Sequence, residues 1–349
     1  VIYVNDIIKA ECAANDRRFI MYIAGIDIGG TKCAVILGKC VDNNIIKVDI
    51  LDKISFRTQT CSGPNGVIDK LILGLEDLLA KNFLIGSDIA CIGISCGGPL
   101  NSEKGLILSP PNLIGWDNIP ITAVFSKHFG VPAVLQNDAN AGALAEWFWG
   151  AGLGCRNMVF CTFGTGFGSG MILNGKLYSG TNDMAGEIGH VRLNEFGPVG
   201  YGKMGSVEGF CSGGGIAQLA KDMALMEMQK GRAVSFCNGQ EDLDNIDALR
   251  VAQAADKGDE LAAKVYEISG TMLGKALSII IDILNPEVIV IGSIFKKSQD
   301  LIWPYTRKVI NEECLAYSRN VCEVLPSALG DAIGDYEALA IAADHIANI

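Results

Sequence analysis

Residues 25–37 read GIDIGGTKCAVIL. An apolar, β-branched run ends in one acid, Asp27; two glycines, a threonine and a lysine follow, and then the same kind of run resumes. The pattern predicts two strands between Tyr22 and Leu37 joined by a tight turn through Gly29, Gly30 and Thr31. Glycines in such a turn let the backbone come close to an anion and present successive N–H donors, while Thr31 adds a hydroxyl and Lys32 a charge. Read alone, GIDIGGTK fits an ordinary hairpin as well as a phosphate cradle. Asp27 likewise fits a turn-capping carboxylate as well as a ligand for Mg2+, direct or through water.

The same device returns in the second half of the chain. NMVFCTFGTGFGSGMILNGKL, residues 157–177, is an apolar strand, a glycine-rich turn and a returning strand, with a further turn at Asn174 and Gly175. Gly164, Thr165, Gly166 and Gly168 follow the first turn by about 135 residues, so the two loops can grip the phosphate chain of one nucleotide from opposite sides. Repetition of one supersecondary unit predicts two similar α/β halves facing one another. Further strands are expected at 45–56, 88–95, 131–136 and 287–292. Helices are expected where Val67, Leu71, Leu75, Leu78 and Leu79 share a face, and at 138–149, 258–284 and 336–346. The glycine-rich stretch 181–215 suits functional loops at a cleft.

A chain of 349 residues exceeds what one hydrophobic core usually serves, which agrees with two domains. Apolar residues make up 49% and charged ones 19%, a globular composition. The formal charge of −11, from 28 basic and 39 acidic residues, argues against a general nucleic-acid surface, so an anionic substrate needs a local device. Twelve cysteines are scattered without a C-x-x-C pair and read as buried free thiols rather than a disulfide scaffold. Asp27, Asp282 and Asn285 interrupt every apolar run before the roughly 18 residues a membrane span needs. Residues 1–20, ahead of Met21, contain no signal-peptide core and are too short for a DNA-reading domain. These features lead to the expectation of a cytoplasmic protein with an N-terminal extension and neither nucleic-acid nor membrane partners.

DIGGTK, PNLIGW, QNDANAGALAE, GTGFGSG and GEIGH, in this order, resemble the ROK family of sugar kinases and sugar-responsive repressors across essentially residues 21–349. The resemblance implies an α/β, two-lobed actin/hexokinase-like (ribonuclease H-like) fold with duplicated βββαβα-type domains and a central cleft. It implies domains at 21–135 and 136–330, with a C-terminal helix at about 331–349 packing back on the first. It also implies ATP, Mg2+, a small-molecule sugar substrate and a homodimer.

In that pattern Asp138 is the catalytic base; from the residues alone it fits a helix N-cap equally. The chemistry suits a carboxylate, which in a loose phosphoryl-transfer transition state orients the hydroxyl and accepts its proton late. The resemblance further assigns Gly97, Asn112, Asn137, Glu187, His190 and Glu208 to the sugar, and Gly292 and Ser293 to the adenosine side, where the family commonly has two glycines. Without the family pattern, His190 reads as a structural histidine. One departure stands out. Where the family often carries three zinc-binding cysteines before the glutamate, this chain has Val199, Tyr201 and Ser206, so no structural zinc is expected. The expected activity is ATP-dependent phosphorylation of the 6-hydroxyl of a hexose, glucose first. The alternatives are an N-acylhexosamine kinase, a polyphosphate-using kinase, or a non-catalytic sugar-sensing regulator.

Overall fold

The computed structural model of the chain describes residues 20–41 and 44–348. Apart from Ile20, the expected N-terminal extension lies outside the described residues. Two units emerge: Val1–Ala141 together with Gly334–Ile349, and Gly142–Ile333.

The main sheet of the first unit is ordered β3-β2-β1-β4-β8, with β1 at Met21–Ile28, β2 at Lys32–Cys40, β3 at Val48–Arg57, β4 at Ile89–Cys96 and β8 at Ala133–Gln136. The opening hairpin is antiparallel and ends with Ile28 opposite Cys33, whereas β4 and β8 join in parallel. Alternation along the strands gives each face its covering. On one face, Ile26, Val35 and Ile92 form a core with helix α1 (Gly63–Lys81), whose buried residues include the predicted Val67, Leu71, Leu75, Leu78 and Leu79.

The opposite face is cut down to glycine. A Cβ added at Gly25 would lie 2.9 Å from Ala338 Cβ, and one at Gly93 would lie 2.0 Å from the Ala338 carbonyl oxygen. At Gly38 it would lie 3.1 Å from Leu339. These glycines make the trough in which the C-terminal helix, Ile333–Ala347, lies. A small sheet of β5 (Leu100–Asn101), β6 (Leu106–Leu108) and β7 (Asp117–Ile119), and helix α2 (Ile121–Phe129), have strands too short and patterns too weak to stand out in the sequence.

In the second unit, β9 (Met158–Cys161), β10 (Ser169–Leu173), β11 (Lys176–Leu177), β14 (Val288–Ile291) and β15 (Glu323–Pro326) are ordered β11-β10-β9-β14-β15, while β12 (Val199–Gly200) and β13 (Lys203–Met204) pair apart from them. Counted along its own main strands, each sheet runs third, second, first, fourth, fifth, with two antiparallel pairings followed by two parallel ones. Asn174 and Gly175, at φ 54° and 75°, make the two-residue turn with both φ positive that suits strand twist.

Helix α3 (Asp138–Trp149) ends in this unit, followed by α4 (Val207–Phe210), α5 (Gly213–Gln229), α6 (Ala248–Asp256), α7 (Glu260–Leu284), α8 (Ile294–Lys297) and α9 (Gln299–Glu313). Asp259 caps α7 by accepting from Ala262 N, and Asn285 ends it at φ 47°. Within α3, Glu146 is fully buried. Its carboxylate accepts from Ala151 N at 2.8 Å, Leu329 N at 3.1 Å, Ala328 N at 3.2 Å and the Ser327 hydroxyl at 2.5 Å, so all its lone-pair directions are used. No described helix is long and apolar enough to cross a membrane.

Candidate active site

The first glycine turn closes with Gly29 N donating to the Lys32 carbonyl at 3.1 Å. Its glycines are required by space rather than by a positive φ. A Cβ on Gly29 would lie 2.7 Å from the Lys32 carbonyl oxygen, and one on Gly30 would lie 2.5 Å from that of Asn112. The predicted phosphate turn and the predicted sugar asparagine are therefore neighbours. Thr58 braces the turn from β3's end, its hydroxyl donating to the Gly29 carbonyl at 2.6 Å and its N–H to the Thr31 carbonyl at 3.0 Å. Thr31 and Lys32 stay exposed.

Around this turn lies a hollow of about 130 Å³, lined among others by Asp27, Gly29, Gly30, Gly97, Asn112 and Asp138. Burial is the larger cause, and the nearby Asp138 charge the next, that pushes the Asp27 carboxyl up to about 7 against the pull of Lys53 and Lys32. Asp138 is open to the hollow by surface area yet enclosed by protein on nearly all sides. That enclosure raises its pKa, and the Ala139 N–H, donating to Oδ1 at 2.9 Å, holds it partly down. A larger hollow of about 460 Å³ lies in the second unit beside Phe236, Arg250 and Lys257, and no motif residue lines it.

The capping alternative for Asp138 is answered by its neighbour. Asn137 Oδ1 accepts from Asn140 N at 2.7 Å, the N-cap bond of α3, so the cap is Asn137. That leaves the Asn137 amide N–H groups for a ligand. Gln136 Oε1 supports the turn by accepting from Asn137 N at 3.1 Å and from the Asn140 side chain at 3.0 Å.

Sequence reasoning missed two acids here. Glu337 of the C-terminal helix is held well above the usual carboxylate range, by burial first and then by the charges of Asp27 and Asp138. Asp335, two residues earlier, pairs with Lys53 of β3. A signal was available in the lone acid within the small, apolar run EALAIAA.

In the second unit the glycine loop is built differently. The Thr162 side chain accepts from Gly168 N at 2.8 Å, and Glu208 Oε2 accepts from Phe167 N at 3.0 Å. A Cβ on Gly166 would lie 2.7 Å from that same carboxylate oxygen. Glu208, read as a sugar ligand, thus has one oxygen on the loop and one left over. Gly213 N donates to the Gly164 carbonyl at 2.8 Å, and Ile294 N to the Phe163 carbonyl at 2.9 Å, which sets Gly292 and Ser293 alongside Gly164 and Thr165. Ser293 takes φ 50°, a conformation glycine adopts without strain, at the place where the family commonly has glycine.

The GEIGH segment packs on the same loop. A Cβ on Gly189 would lie 1.9 Å from the Phe167 carbonyl oxygen. Glu187 and His190 are exposed at the two ends of this short turn. At the three cysteine places other contacts stand. Val199 is clasped in both directions by the Gln218 amide, at 3.0 and 2.9 Å, and Ser206 caps α4 at 3.1 Å. The Tyr201 ring lies edge-on to His190 at 6.4 Å, and Lys203 donates to the His190 carbonyl at 2.8 Å. Among the described residues no three His, Cys, Asp or Glu side chains gather as a metal cluster. Mg2+ in kinase sites takes few protein ligands, and the Asp27 carboxylate at the hollow fits that donor set.

Comparison with known proteins bears on the family and the fold. A glucokinase of Halalkalibacterium halodurans is 31% identical over 290 residues, 82% of this chain and 83% of that protein. A xylose repressor of Caldicellulosiruptor bescii is 30% identical over 298 residues, 83% of this chain and 70% of that protein. Among solved structures, a ROK family glucokinase from Streptomyces griseus in complex with glucose and AMPPNP superposes with a TM-score of 0.70 at 26% identity, covering 93% of this chain and 99% of that one. The α/β fold is therefore the actin-like one of the ROK sugar kinases. The profile of the ROK family matches residues 23–345, and the chain belongs to that family.

Proposed function

We propose that this ROK protein is an ATP-dependent hexose kinase that phosphorylates the 6-hydroxyl, with glucose as its first substrate. The observation that carries the reading is one hollow lined by the glycine turn, Asp27, Asn112 and Asp138, with Asp138 released from capping by Asn137. A carboxylate with a raised pKa at the start of a helix suits a base that accepts a proton as the hydroxyl attacks phosphorus. In the first unit Asn112, the Asn137 amide and the Gly97 backbone are the groups proposed to orient the sugar; in the second, the family pattern offers Glu187, His190 and the free oxygen of Glu208 as sugar ligands. Polar groups of this kind, once a bound sugar covers them, reject sugars that leave them unpaired. In the first unit the turn at Gly29–Lys32 is proposed to meet phosphate through backbone N–H groups; in the second, the loop at Gly164–Gly168 is proposed as a nucleotide loop of the same kind, with Gly292 and Ser293 on its adenosine side. Mg2+ at Asp27 would neutralise phosphate charge.

The glucokinase relatives and the glucose and AMPPNP complex of the Streptomyces griseus protein support this reading. A second reading, a sugar-sensing regulator, draws support from the xylose repressor relative. A panel of hexoses and N-acylhexosamines with ATP and Mg2+, read by ADP release, separates them. Turnover with glucose at kcat/KM above that for N-acetylmannosamine is expected, and polyphosphate in place of ATP should give less product. Sugar-dependent DNA binding with no turnover of any sugar would replace the kinase by the regulator.

A further inference from the structure

Ser95 has the one buried hydroxyl among the described residues that finds no hydrogen-bond partner. The other buried hydroxyls are committed. Ser206 and Ser212 accept from N–H groups at helix starts, Ser169, Ser269, Ser278 and Thr306 donate to backbone carbonyls, and Ser327 donates to Glu146. Ser95 is 1% exposed and follows the core residue Ile94 in β4. An alanine would fill that place and strand no polar atom, so a serine is worth its desolvation only if a partner is met in another state of the protein.

The register names that partner. Ser95 is opposite Asp27 across the parallel β1–β4 pair, and in-register residues of adjacent strands point to the same face. Both line the hollow that holds Gly29, Gly30, Asn112 and Asp138. Neighbouring charges and burial act on Asp27, but no described protein donor reaches its carboxylate. A donor with no acceptor therefore stands beside an acceptor with no donor.

We propose that Ser95 is a positioning residue for Asp27: when a nucleotide and its cation occupy the hollow, the Ser95 hydroxyl turns about its single side-chain torsion and donates to the Asp27 carboxylate. One carboxylate oxygen is then held by the serine and the other faces the cation. The inference rests on the kinase reading above and goes beyond it by naming the group that orients Asp27. The energetic logic is that of a support formed only in the loaded state, so it strengthens the bound complex without stabilising the free protein.

The test is steady-state kinetics on Ser95→Ala and Ser95→Thr, varying MgATP and glucose independently, with melting curves of the nucleotide-free proteins. For Ser95→Ala, kcat/KM for MgATP should fall about tenfold, the loss of one hydrogen bond to a charged group, while the glucose KM stays put. Ser95→Thr keeps the hydroxyl on a strand-favouring residue and should recover most of the loss. The melting temperature of Ser95→Ala should equal or exceed that of the wild type. Unchanged MgATP dependence, a matching rise in glucose KM, or a lower melting temperature overturns the assignment while leaving an active wild-type kinase intact. A wild type that phosphorylates no sugar removes the kinase reading and this inference together.

Discussion

The two glycine turns share a strand–turn–strand plan and differ in what stands two residues before their first glycine. In the first unit that residue is Asp27, a carboxyl without a protein donor and with its pKa pushed up to about 7 by burial. In the second it is Thr162, whose hydroxyl oxygen is already taken by Gly168 N within the turn. The supports differ in the same sense. Backbone of Asn112 crowds Gly30, whereas a flexible carboxylate, Glu208, leans on Gly166. One turn carries a carboxyl that no described protein donor reaches; the other uses its polar groups to hold its own shape. A repeated backbone plan thus need not mean repeated side-chain supports.

The comparison breaks most visibly at Asp138, which lines the same hollow as Asp27. Asp138→Asn should lower turnover roughly 10²–10⁴-fold while sugar binding, followed by calorimetry, persists. Near-normal turnover would take the base away from the first unit. Next comes steric contrast between the turns. Gly30→Ala places a Cβ 2.5 Å from a backbone oxygen that cannot swing aside, and should cost about 2 kcal/mol in urea unfolding. Gly166→Ala meets the end of the Glu208 side chain and should cost about half that, roughly 1 kcal/mol. Equal costs would erase the distinction between rigid and yielding supports.

The electrostatic contrast is tested by pH. Because the folded state raises the Asp27 pKa, folded protein binds more protons than unfolded protein between the ordinary aspartate value and about 7. The stability this group contributes is therefore present at acid pH and lost as pH rises through about 7. Asp27→Asn, neutral throughout, should melt like the wild type near pH 4 and above it at pH 8, although it loses activity. Asp138 and Glu337, raised likewise, bend the wild-type curve in the same direction. The smallest effect belongs to the other turn: Thr162→Val removes an acceptor for Gly168 N and should cost about 1 kcal/mol at every pH. A pH-dependent loss there would mean that Thr162 acts through a charge.

Much of the scaffold was legible because its signals are local. The turn at Gly29 and Gly30, the α1 stripe from Val67 to Leu79 and the start of α3 at Asp138 follow from periodicity and turn chemistry read over a dozen residues. Val199, Tyr201 and Ser206 were equally legible as residues unable to hold zinc through thiolates. Other features were hidden by distance along the chain. Glu208 gives no sign in the sequence that one of its carboxylate oxygens accepts from Phe167 N, 41 residues away. Gly25, Gly38 and Gly93 look like interruptions of strands until the C-terminal helix fills them.

By itself, then, the amino-acid order determined the hairpins, the helix that begins beside Asp138, and the family whose motifs they carry, since those depend on contacts between near neighbours. Only the tertiary structure decided that Asn137 rather than Asp138 caps that helix, that Ser95 faces Asp27, and that Lys53 meets Asp335 across 282 residues. The physical reason is that hydrogen bonds and charge pairs act over a few ångströms. Which polar groups are left unpaired for a ligand is settled by strand register and helix docking, not by spacing along the chain.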